Sequence, residues 1–427
     1  MLSDSQLDGY PMGELNVLDN VFERFLRSTH IFKDREVLRH DYIPDKLPHR
    51  EEQVRCLGEI VAPVLRNSRC SNVFIYGKTG TGKTAATKYV LNRVSLKAGE
   101  LGAPVAVRYV NCRLAGTEYR IFSSLCEGLG VKVPFTGLAV GEVFDRFKEG
   151  LDSRGILFIA VLDEIDALIK TRGDVLLYEL TRINETLRRS RASLVGISND
   201  LRFKEFLDPR VLSSLSEEEI VFRPYDAAEL QDILWDRARL AFFKDVLLDG
   251  ALGLCAALAA AEHGDARRAL DLLRVAGELT EREGASCITE DHVRQAERRV
   301  EHDRIVEALT NLPLHSKFVL CSVYLLGKAK ISCAITGDIY EIYCELCDQS
   351  GLSPLTQRRV SGLINELDMI GLLNARVVSM GRYGRTKKIR LGIARSLIRK
   401  VFTTDDRIGH LIGYVPKCLA GFSSSRS

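Results

Sequence analysis

The chain has 427 residues, of which 46% are hydrophobic and 27% charged, and its 60 basic and 57 acidic residues leave a formal charge of +3. This length allows roughly two to four domains, each with its own core, and the near balance of charge means that any basic partner surface is local. No apolar run reaches the roughly 18 residues of a membrane-spanning helix, and the acidic first residues predict no export signal.

The cysteines, 11 in all, predict a reducing, cytoplasmic location, because an odd number spread over a long chain is typical of packed thiols. Cys344 and Cys347 form a Cys-x-x-Cys pair, but no second pair of ligands follows at the spacing of a zinc site. Their neighbours Tyr343 and Leu346 continue a helical spacing, which favours cysteines in a helix core over a metal site.

Short apolar runs alternate with helical patterns in the first half of the chain. Unbroken apolar runs between helices predict a parallel sheet covered on both faces. The predicted strands are Val73–Tyr76, Val105–Val110, Ile156–Leu162 and Leu194–Ile197. From about residue 226 the periodicity is helical only, and the predicted helices there are Ala227–Phe242, Val246–Glu262 and Ala266–Glu283.

A glycine-rich turn follows the first predicted strand. Residues 77–84, GKTGTGKT, match G-x-x-x-x-G-K-[ST] between that strand and a helical pattern at Ala85–Val94. In such a loop the backbone N–H groups surround a β-phosphate, the lysine reaches the β- and γ-phosphates, and the threonine hydroxyl binds Mg²⁺. The sequence therefore predicts a site for ATP or ADP with Mg²⁺. Its predicted loop residues are Gly77, Lys78, Thr79, Gly80, Thr81, Gly82, Lys83, Thr84 and Ala85, with Thr84 as a metal ligand.

Two acidic residues directly follow the predicted strand Ile156–Leu162. Asp163 is predicted to bind the magnesium ion, and Glu164 to polarise the water that attacks the γ-phosphate. The next apolar strand ends near Asn199, whose amide can orient that water.

The order of these elements resembles an AAA+ ATPase, in which an all-helical lid follows the α/β base. Residues 263–270, HGDARRAL, are similar to the second sensor motif of that family. The resemblance implies that Arg267 contacts the γ-phosphate from the lid, and that Tyr225 and Arg237 bracket the nucleotide. Many members carry an arginine in a later helix that reaches a neighbour's nucleotide, whereas this chain has Ser214 at the corresponding position. This departure favours slow intrinsic hydrolysis over a hexamer activated between subunits.

Finer phrases resemble the archaeal replication initiators, relatives of the largest subunit of the eukaryotic origin recognition complex and of its helicase-loading paralogue. The phrases are LPHREEQ (47–53), YGKTGTGKT (76–84), DPRVLSSL (208–215) and GDARRAL (264–270), and the resemblance covers about residues 40 to 395. It implies duplex DNA at a replication origin and the replicative helicase as partners, further copies or paralogues on DNA, and a nucleoid-associated protein in the cytoplasm. A segment at Tyr119–Lys148 falls where the family has a helical insertion that contacts DNA.

The last pattern predicts a winged helix. Ser353 and Pro354 are predicted to begin a recognition helix, which follows a helix around Ile335–Cys347, and Leu355, Val360, Leu363, Ile364 and Leu367 form its buried stripe. Two short strands then flank a glycine turn with a basic tip. Residues 353–395 hold nine arginines and lysines but only two acidic residues, which favours DNA over a merely solvated face. The predicted DNA-binding residues are Gln357, Arg358, Ser361, Arg382, Tyr383, Arg385, Lys387 and Lys388.

Five regions follow from these patterns: an N-terminal helix at Val17–Arg27 with a charged linker (1–46), the AAA+ base (47–225), the lid (226–301), the winged-helix domain (302–395) and a tail without an assigned role (396–427). The leading hypothesis is an ATP-switched replication initiator. The alternatives are a clamp-loader-like or remodelling motor ATPase, and a transcription regulator that uses ATP as a structural ligand.

Overall fold

The structure is a computed structural model, and it describes residues 31–215, 218–329, 331, 333–379 and 385–417 together with positions 19 and 22. Apart from those two positions, the predicted helix at Val17–Arg27 lies outside the described residues, and so do Arg382 and Tyr383 of the predicted basic tip. The chain divides into two compact units, residues 1–297 and 298–427.

A parallel sheet of five strands forms the centre of the first unit, in the order β2-β3-β4-β1-β5. All four predicted strands are confirmed, with small differences at their ends. The fifth was missed because it lies at the edge of the sheet, where Ile220 and Phe222 are buried and the residues between and before them are exposed. The strands are β1 (Val73–Gly77), β2 (Val105–Asn111), β3 (Leu157–Asp163), β4 (Arg191–Ser198) and β5 (Glu218–Phe222).

Eight helices of the described residues belong to this α/β base, and apolar clusters cover both faces of the sheet. The three central strands, β3, β4 and β1, are buried nearly throughout, as in β3, where every residue from Leu157 to Asp163 is buried. This explains why unbroken apolar runs, not alternation, marked them in the sequence. The helices are α1 (Glu51–Val61), α2 (Lys83–Leu101), α3 (Cys112–Ala115), α4 (Glu118–Gly128), α5 (Val140–Asp152), α6 (Ile165–Arg172), α7 (Val175–Arg182) and α8 (Pro209–Leu215).

Helices alone form the lid that follows. They are α9 (Ala227–Ala241), α10 (Asp249–Ala261) and α11 (Ala266–Glu283), and α12 (Glu290–Asn311) begins in the first unit and ends in the second. The prediction for α11 is confirmed at both ends. Helix α10 begins three residues later than predicted, because residue 247 forms a bridge with Ile288 and Leu248 is still extended.

A strap, residues 31–48, crosses the lid before the base begins. The Lys33 N–H donates to the carbonyl of Ala241 at 2.8 Å, and the Phe32 ring packs on Phe242 with ring centroids 5.0 Å apart. Gly277 admits this contact, since a Cβ there would lie 2.6 Å from the Phe32 ring.

The second unit contains a helix-turn-helix and a β-hairpin, as predicted for a winged helix. Its helices are α13 (Leu314–Lys328), α14 (Thr336–Gln349), α15 (Gln357–Met369) and α16 (Arg395–Thr403), and its antiparallel strands are β6 (Ala334–Ile335), β7 (Leu373–Ser379) and β8 (Arg385–Leu391). Val360, Leu363, Ile364 and Leu367 of the predicted stripe are buried, and Leu355 is half-buried.

The predicted start of the recognition helix at Ser353 and Pro354 was wrong. Helix α15 begins at Gln357, and its cap is the Thr356 hydroxyl, which accepts the Arg359 N–H. The residue before the cap is held outside the helix, because the Leu355 N–H donates to the hydroxyl of Tyr343 at 3.0 Å and its carbonyl accepts from the hydroxyl of Tyr340 at 3.2 Å.

The predicted separation of residues 396–427 as a tail was also wrong for the part that the structure describes. Leu397, Ile398 and Phe402 of α16 are buried in the same core as α13 and α14. Lys317 of α13 also bonds Asp405 at 2.6 Å. Within the described residues, no helix is long and apolar enough to cross a membrane.

Candidate functional site

A cavity of about 430 Å³ lies between the base, the lid and the strap, a volume within the range of small-molecule sites. The predicted residues that line it are Gly80, Thr81, Gly82, Lys83, Thr84, Ala85, Asp163, Glu164, Asn199, Tyr225, Arg237 and Arg267. Gly77, Lys78 and Thr79, at the start of the predicted loop, are absent from this lining.

The glycines of the loop permit both its backbone conformation and its close neighbours. Gly80 and Gly82 have φ angles of 70° and 89°, in the left-handed region that glycine tolerates. A Cβ on Gly80 would lie 1.8 Å from a carboxylate oxygen of Asp265 in the lid, and one on Gly82 would lie 2.8 Å from the hydroxyl of Tyr225. The loop is therefore packed directly against the lid and against the base–lid connector.

Lys83 begins α2 and is buried. Its ammonium donates to the carbonyls of Gly77 at 2.9 Å and Lys78 at 2.6 Å. Burial lowers the pKa of Lys83 to about 8, against the raising effect of the Asp163 carboxylate and with a further lowering by Arg267. An ammonium so poorly solvated gains more from a phosphate than an exposed lysine does.

Asp163 and Thr84 meet at the end of β3. The Thr84 hydroxyl donates to one carboxylate oxygen of Asp163 at 2.8 Å, and the Tyr109 hydroxyl donates to the same oxygen. Burial, and then this bond, raise the pKa of Tyr109. The hydroxyl and carboxylate oxygens are the hard ligands that Mg²⁺ prefers, so the residues present fit the predicted ion.

Glu164 follows in a strained conformation, with φ 53° and ψ 41°. Such strain in a residue other than glycine is typical of functional sites. Its side chain is 23% exposed, and a carboxylate oxygen lies 3.8 Å from the guanidinium of Arg113. The carboxylate is thus accessible from the cavity and partnered by a single distant cation among the described residues, an arrangement suited to a base.

Asn199 follows β4, which is the neighbour of β3 in the sheet, and it lines the same cavity as Glu164. The Asp166 carboxylate accepts the Asn199 N–H at 3.0 Å and the Ser198 hydroxyl at 3.1 Å. The backbone of Asn199 is therefore fixed, and its side chain lines the cavity.

The lid contributes the first turn of α11. The Asp265 side chain caps this helix by accepting the Arg267 N–H at 2.8 Å, and the Ala266 N–H donates to the carbonyl of Gly80 in the loop at 3.1 Å. Arg267 is exposed toward the cavity. A phosphate bound in the loop would thus lie next to the start of a lid helix and a lid arginine.

Arg237 and Tyr225 line the cavity, and each also contacts other parts of the protein. The guanidinium of Arg237 donates to the strap carbonyls of Val37 at 3.0 Å and Tyr42 at 3.2 Å. Tyr225 is buried under the guanidinium of Arg50, which lies 3.7 Å from its ring centroid.

Sequence reasoning missed several residues of this site. The strap lines the cavity from His40 to Pro48, yet its charged sequence predicted only a linker. Tyr109 and Arg50 were missed because nothing in their local pattern indicates contacts with Asp163 or with Tyr225, which lie far along the chain.

Ser214 lies on α8, and its hydroxyl donates to the carbonyl of Arg210 at 3.1 Å. Arg210 is exposed and forms an ion pair with Asp208 at 3.1 Å.

A second candidate site lies in the C-terminal unit. Gln357 and Arg358 are exposed on α15, Ser361 is half-buried, and a groove of about 530 Å³ separates them from the hairpin and from the start of α14. Lys387 of the hairpin borders this groove and bonds Asn365 of α15, and Lys388 is exposed. Arg385 pairs with Ser379 in the hairpin backbone.

Cys347 is buried in the core of this unit, and Cys344 is half-buried. Burial raises the pKa of Cys347. Among the described residues no group of three or more cysteine, histidine or acidic side chains is placed to hold a metal ion.

Base, lid and C-terminal unit together define an AAA+ ATPase with a winged-helix domain. The match to known families agrees: residues 66–202 match the AAA domain, 231–298 the Cdc6 AAA+ ATPase-type lid domain, and 307–401 the CDC6 C-terminal winged helix domain. The chain belongs to the family of ORC1-type DNA replication proteins. The member from Thermococcus onnurineus is 54% identical over 92% of this chain and 96% of its own length, and the member from Pyrococcus abyssi is 52% identical over 94% and 96%.

Solved structures show the same relationship. The Aeropyrum pernix ORC1 protein in complex with DNA has a TM-score of 0.83 and 50% identity, covering 90% of this chain and 99% of that one. Cdc6p from Pyrobaculum aerophilum has a TM-score of 0.55 at 23% identity over 87% of this chain and 98% of that one, a likeness of fold alone. The AAA+ fold and the membership of this family support ATP or ADP binding and a role in the initiation of DNA replication.

Proposed function

We propose that the chain is an ATP-regulated replication initiator that binds duplex DNA at an origin and helps to recruit or load the replicative helicase. ATP with Mg²⁺ binds between base and lid, held by Lys83, Thr84 and Asp163, and Arg267 contacts the γ-phosphate. Glu164 and Asn199 position and activate the attacking water, so that slow hydrolysis ends the ATP-bound state.

The observation that carries the nucleotide switch is the contact between loop and lid. The hydrogen bond from Ala266 to the Gly80 carbonyl joins the phosphate-binding loop directly to the first turn of α11. A γ-phosphate bound between that loop and Arg267 would act directly on this loop–lid contact, so the angle of the lid depends on the nucleotide.

DNA binding is assigned to the second unit. Exposed Gln357 and Arg358 carry donors and acceptors suited to base edges, while Lys387 and Lys388 of the hairpin supply positive charge for phosphates. The 50% identical ORC1 protein from Aeropyrum pernix was solved in complex with DNA, which supports the same function here. We also propose Arg382, Tyr383 and Arg385 as DNA contacts, on their basic and aromatic character alone; the first two lie outside the described residues.

Ser214 weighs against the motor alternative. Helix α8 offers a serine hydroxyl turned to its own backbone where a trans-acting arginine is expected, and the neighbouring Arg210 is paired with Asp208. The protein therefore acts as a switch with slow turnover. It is a nucleoid-associated protein of the cytoplasm, and it binds DNA alone or with further copies.

Footprinting on the source genome, with and without ATP, tests the proposal. We expect protection of a few discrete sites, with an extent that differs between ATP and ADP. Equal protection of random and genomic sequences in both nucleotide states would contradict the origin-binding function.

A further inference from the structure

Arg50 is the largest fully buried side chain of the described residues, at 0% exposure. It precedes the first turn of α1, outside the glycine loop and outside the lid. In the described part of the chain no carboxylate lies within ion-pair distance of it, and burial lowers its pKa. A buried cation without a carboxylate costs several kcal/mol, so simple filling of the core does not explain an arginine here.

Three backbone carbonyls from separate segments receive its donors. Its Nε donates to Thr81 in the phosphate-binding loop at 2.9 Å, one terminal nitrogen to His49 at 2.9 Å, and the other to Arg223 at 2.6 Å. Arg223 belongs to the connector between β5 and the lid helix α9. One planar guanidinium therefore ties the loop to the connector.

The ring of Tyr225 completes this arrangement. The guanidinium carbon of Arg50 lies 3.7 Å from the centroid of the ring, a distance at which a cation and an aromatic face attract. The Tyr225 hydroxyl in turn lies 2.8 Å from the position that a Cβ on Gly82 would take. Loop, guanidinium, ring and connector thus form one packed unit.

We propose that Arg50 is a positioning residue that couples the phosphate-binding loop to the base–lid connector, so that nucleotide bound in the loop sets the position of the lid. The inference rests on the proposed nucleotide function. Arg50 acts through the carbonyls of Thr81 and Arg223 and through the ring of Tyr225, and it does not contact the nucleotide. Lysine can replace it only in part, because one ammonium keeps the charge but lacks the planar fork that reaches three carbonyls and stacks on a ring.

The test compares Arg50→Met and Arg50→Lys with the wild type in the full chain. Two quantities are measured: affinity for ATP and ADP with Mg²⁺, by equilibrium dialysis, and hydrogen exchange of the lid amides in α9 and α11 at saturating nucleotide. We expect the affinity to fall by roughly tenfold or more in Arg50→Met, because this is the loss that corresponds to one hydrogen bond from a charged group. We also expect nucleotide-dependent protection of the lid to disappear even when the site is saturated, with Arg50→Lys between the two.

Lys317→Met is the matched control, since it removes a buried cation that pairs with Asp405 in the other unit. It should lower stability and leave affinity and lid protection unchanged. If the Arg50 variants fold and keep wild-type lid protection at saturation, Arg50 is merely structural and the inference is overturned. If Arg50→Met does not fold, Arg50→Lys decides. Failure of the wild type itself to bind ATP would instead contradict the proposed function.

Discussion

The hydroxyl of Thr84 lies 2.8 Å from the carboxylate of Asp163, which joins the first turn of α2 to the carboxyl end of β3. The Tyr109 hydroxyl donates to the same carboxylate oxygen, and the other oxygen accepts the Glu164 N–H at 2.9 Å. The Thr84 hydroxyl and the Asp163 carboxylate are therefore held in place before any ion binds. A cation that binds both oxygens replaces the hydrogen bond between them, and this needs little rearrangement of either side chain.

Asp163→Asn should remove the dependence of ATP affinity on Mg²⁺, because the amide lacks the charge that attracts the ion. Equilibrium dialysis with Mg²⁺ and with a chelator measures this, and we expect a difference of about tenfold in the wild type that disappears in the variant. Asp152→Asn is the control, since its carboxylate caps backbone N–H groups of residues 188–190 away from the cavity. Full Mg²⁺ dependence in Asp163→Asn would contradict the metal assignment.

Lys83→Ala and Glu164→Gln should separate binding from hydrolysis. The first loses the ammonium that we propose pairs with the β- and γ-phosphates, and it should not bind ATP. The second keeps that ammonium but cannot accept a proton from water, so it should bind ATP normally and lose turnover. Equilibrium dialysis measures ATP binding, and single-turnover assays measure hydrolysis. Equal ATP affinity in Lys83→Ala and wild type would contradict the assignment of this cavity as the nucleotide site.

The lowered pKa of Lys83, about 8, predicts proton uptake when ATP binds at alkaline pH. Above that pKa the ligand-free site has lost the lysine proton, and the phosphates restore it. Calorimetry in two buffers of different ionisation enthalpy should show roughly 0.7 proton more uptake near pH 9 than near pH 7.5. Identical uptake at both pH values would contradict this.

The same pKa has a consequence for stability. Between about 8 and the unperturbed value of 10.5, the unfolded chain binds the lysine proton more than the folded chain does. The contribution of Lys83 to the free energy of unfolding of the ligand-free protein therefore rises with pH across that window and is flat below it.

Gly264→Ala should disturb the lid more than Gly284→Ala, although both glycines flank α11 in the left-handed region, with φ of 68° and 72°. A Cβ on Gly264 would lie 2.2 Å from the carbonyl oxygen of Tyr225, whereas nothing lies within 4 Å of one on Gly284. Gly284→Ala should cost about 1–2 kcal/mol through its backbone alone and leave ATP affinity intact. Gly264→Ala should lower both stability and affinity, and equal effects of the two on affinity would argue against a role for the connector.

Local signals predicted the loop, the acidic strand end and the lid helix α11, because their chemistry requires particular residues at fixed spacing. The edge strand β5 escaped because it is short and two of its exposed residues, Glu218 and Glu219, are charged. The start of α15 was misplaced because two tyrosines of α14 hold Leu355 outside the helix. The partners of Arg50 and Arg237 are backbone carbonyls of distant segments. A carbonyl exists at every position, so no sequence pattern indicates such a contact.

The hairpin and the recognition helix should fail differently on DNA. Lys387 and Lys388 carry charge without a base-reading fork, so Lys387→Gln with Lys388→Gln should weaken binding equally on origin and random duplexes. The slope of log K against log salt should fall by roughly 2, one counterion for each lost contact.

Arg358→Ala should instead cost roughly 1–3 kcal/mol on the preferred sequence and less elsewhere, if its fork reads a base edge. Lys328→Gln with Arg399→Gln is the control for the hairpin variant, because it removes two positive charges from exposed positions on α13 and α16 of the same unit. Salt titrations of fluorescence anisotropy on both duplexes separate a uniform, salt-linked loss from a sequence-linked one. If the hairpin and helix variants both bound both duplexes like the wild type, the second unit would not be the DNA reader, and its groove would have to serve a protein partner.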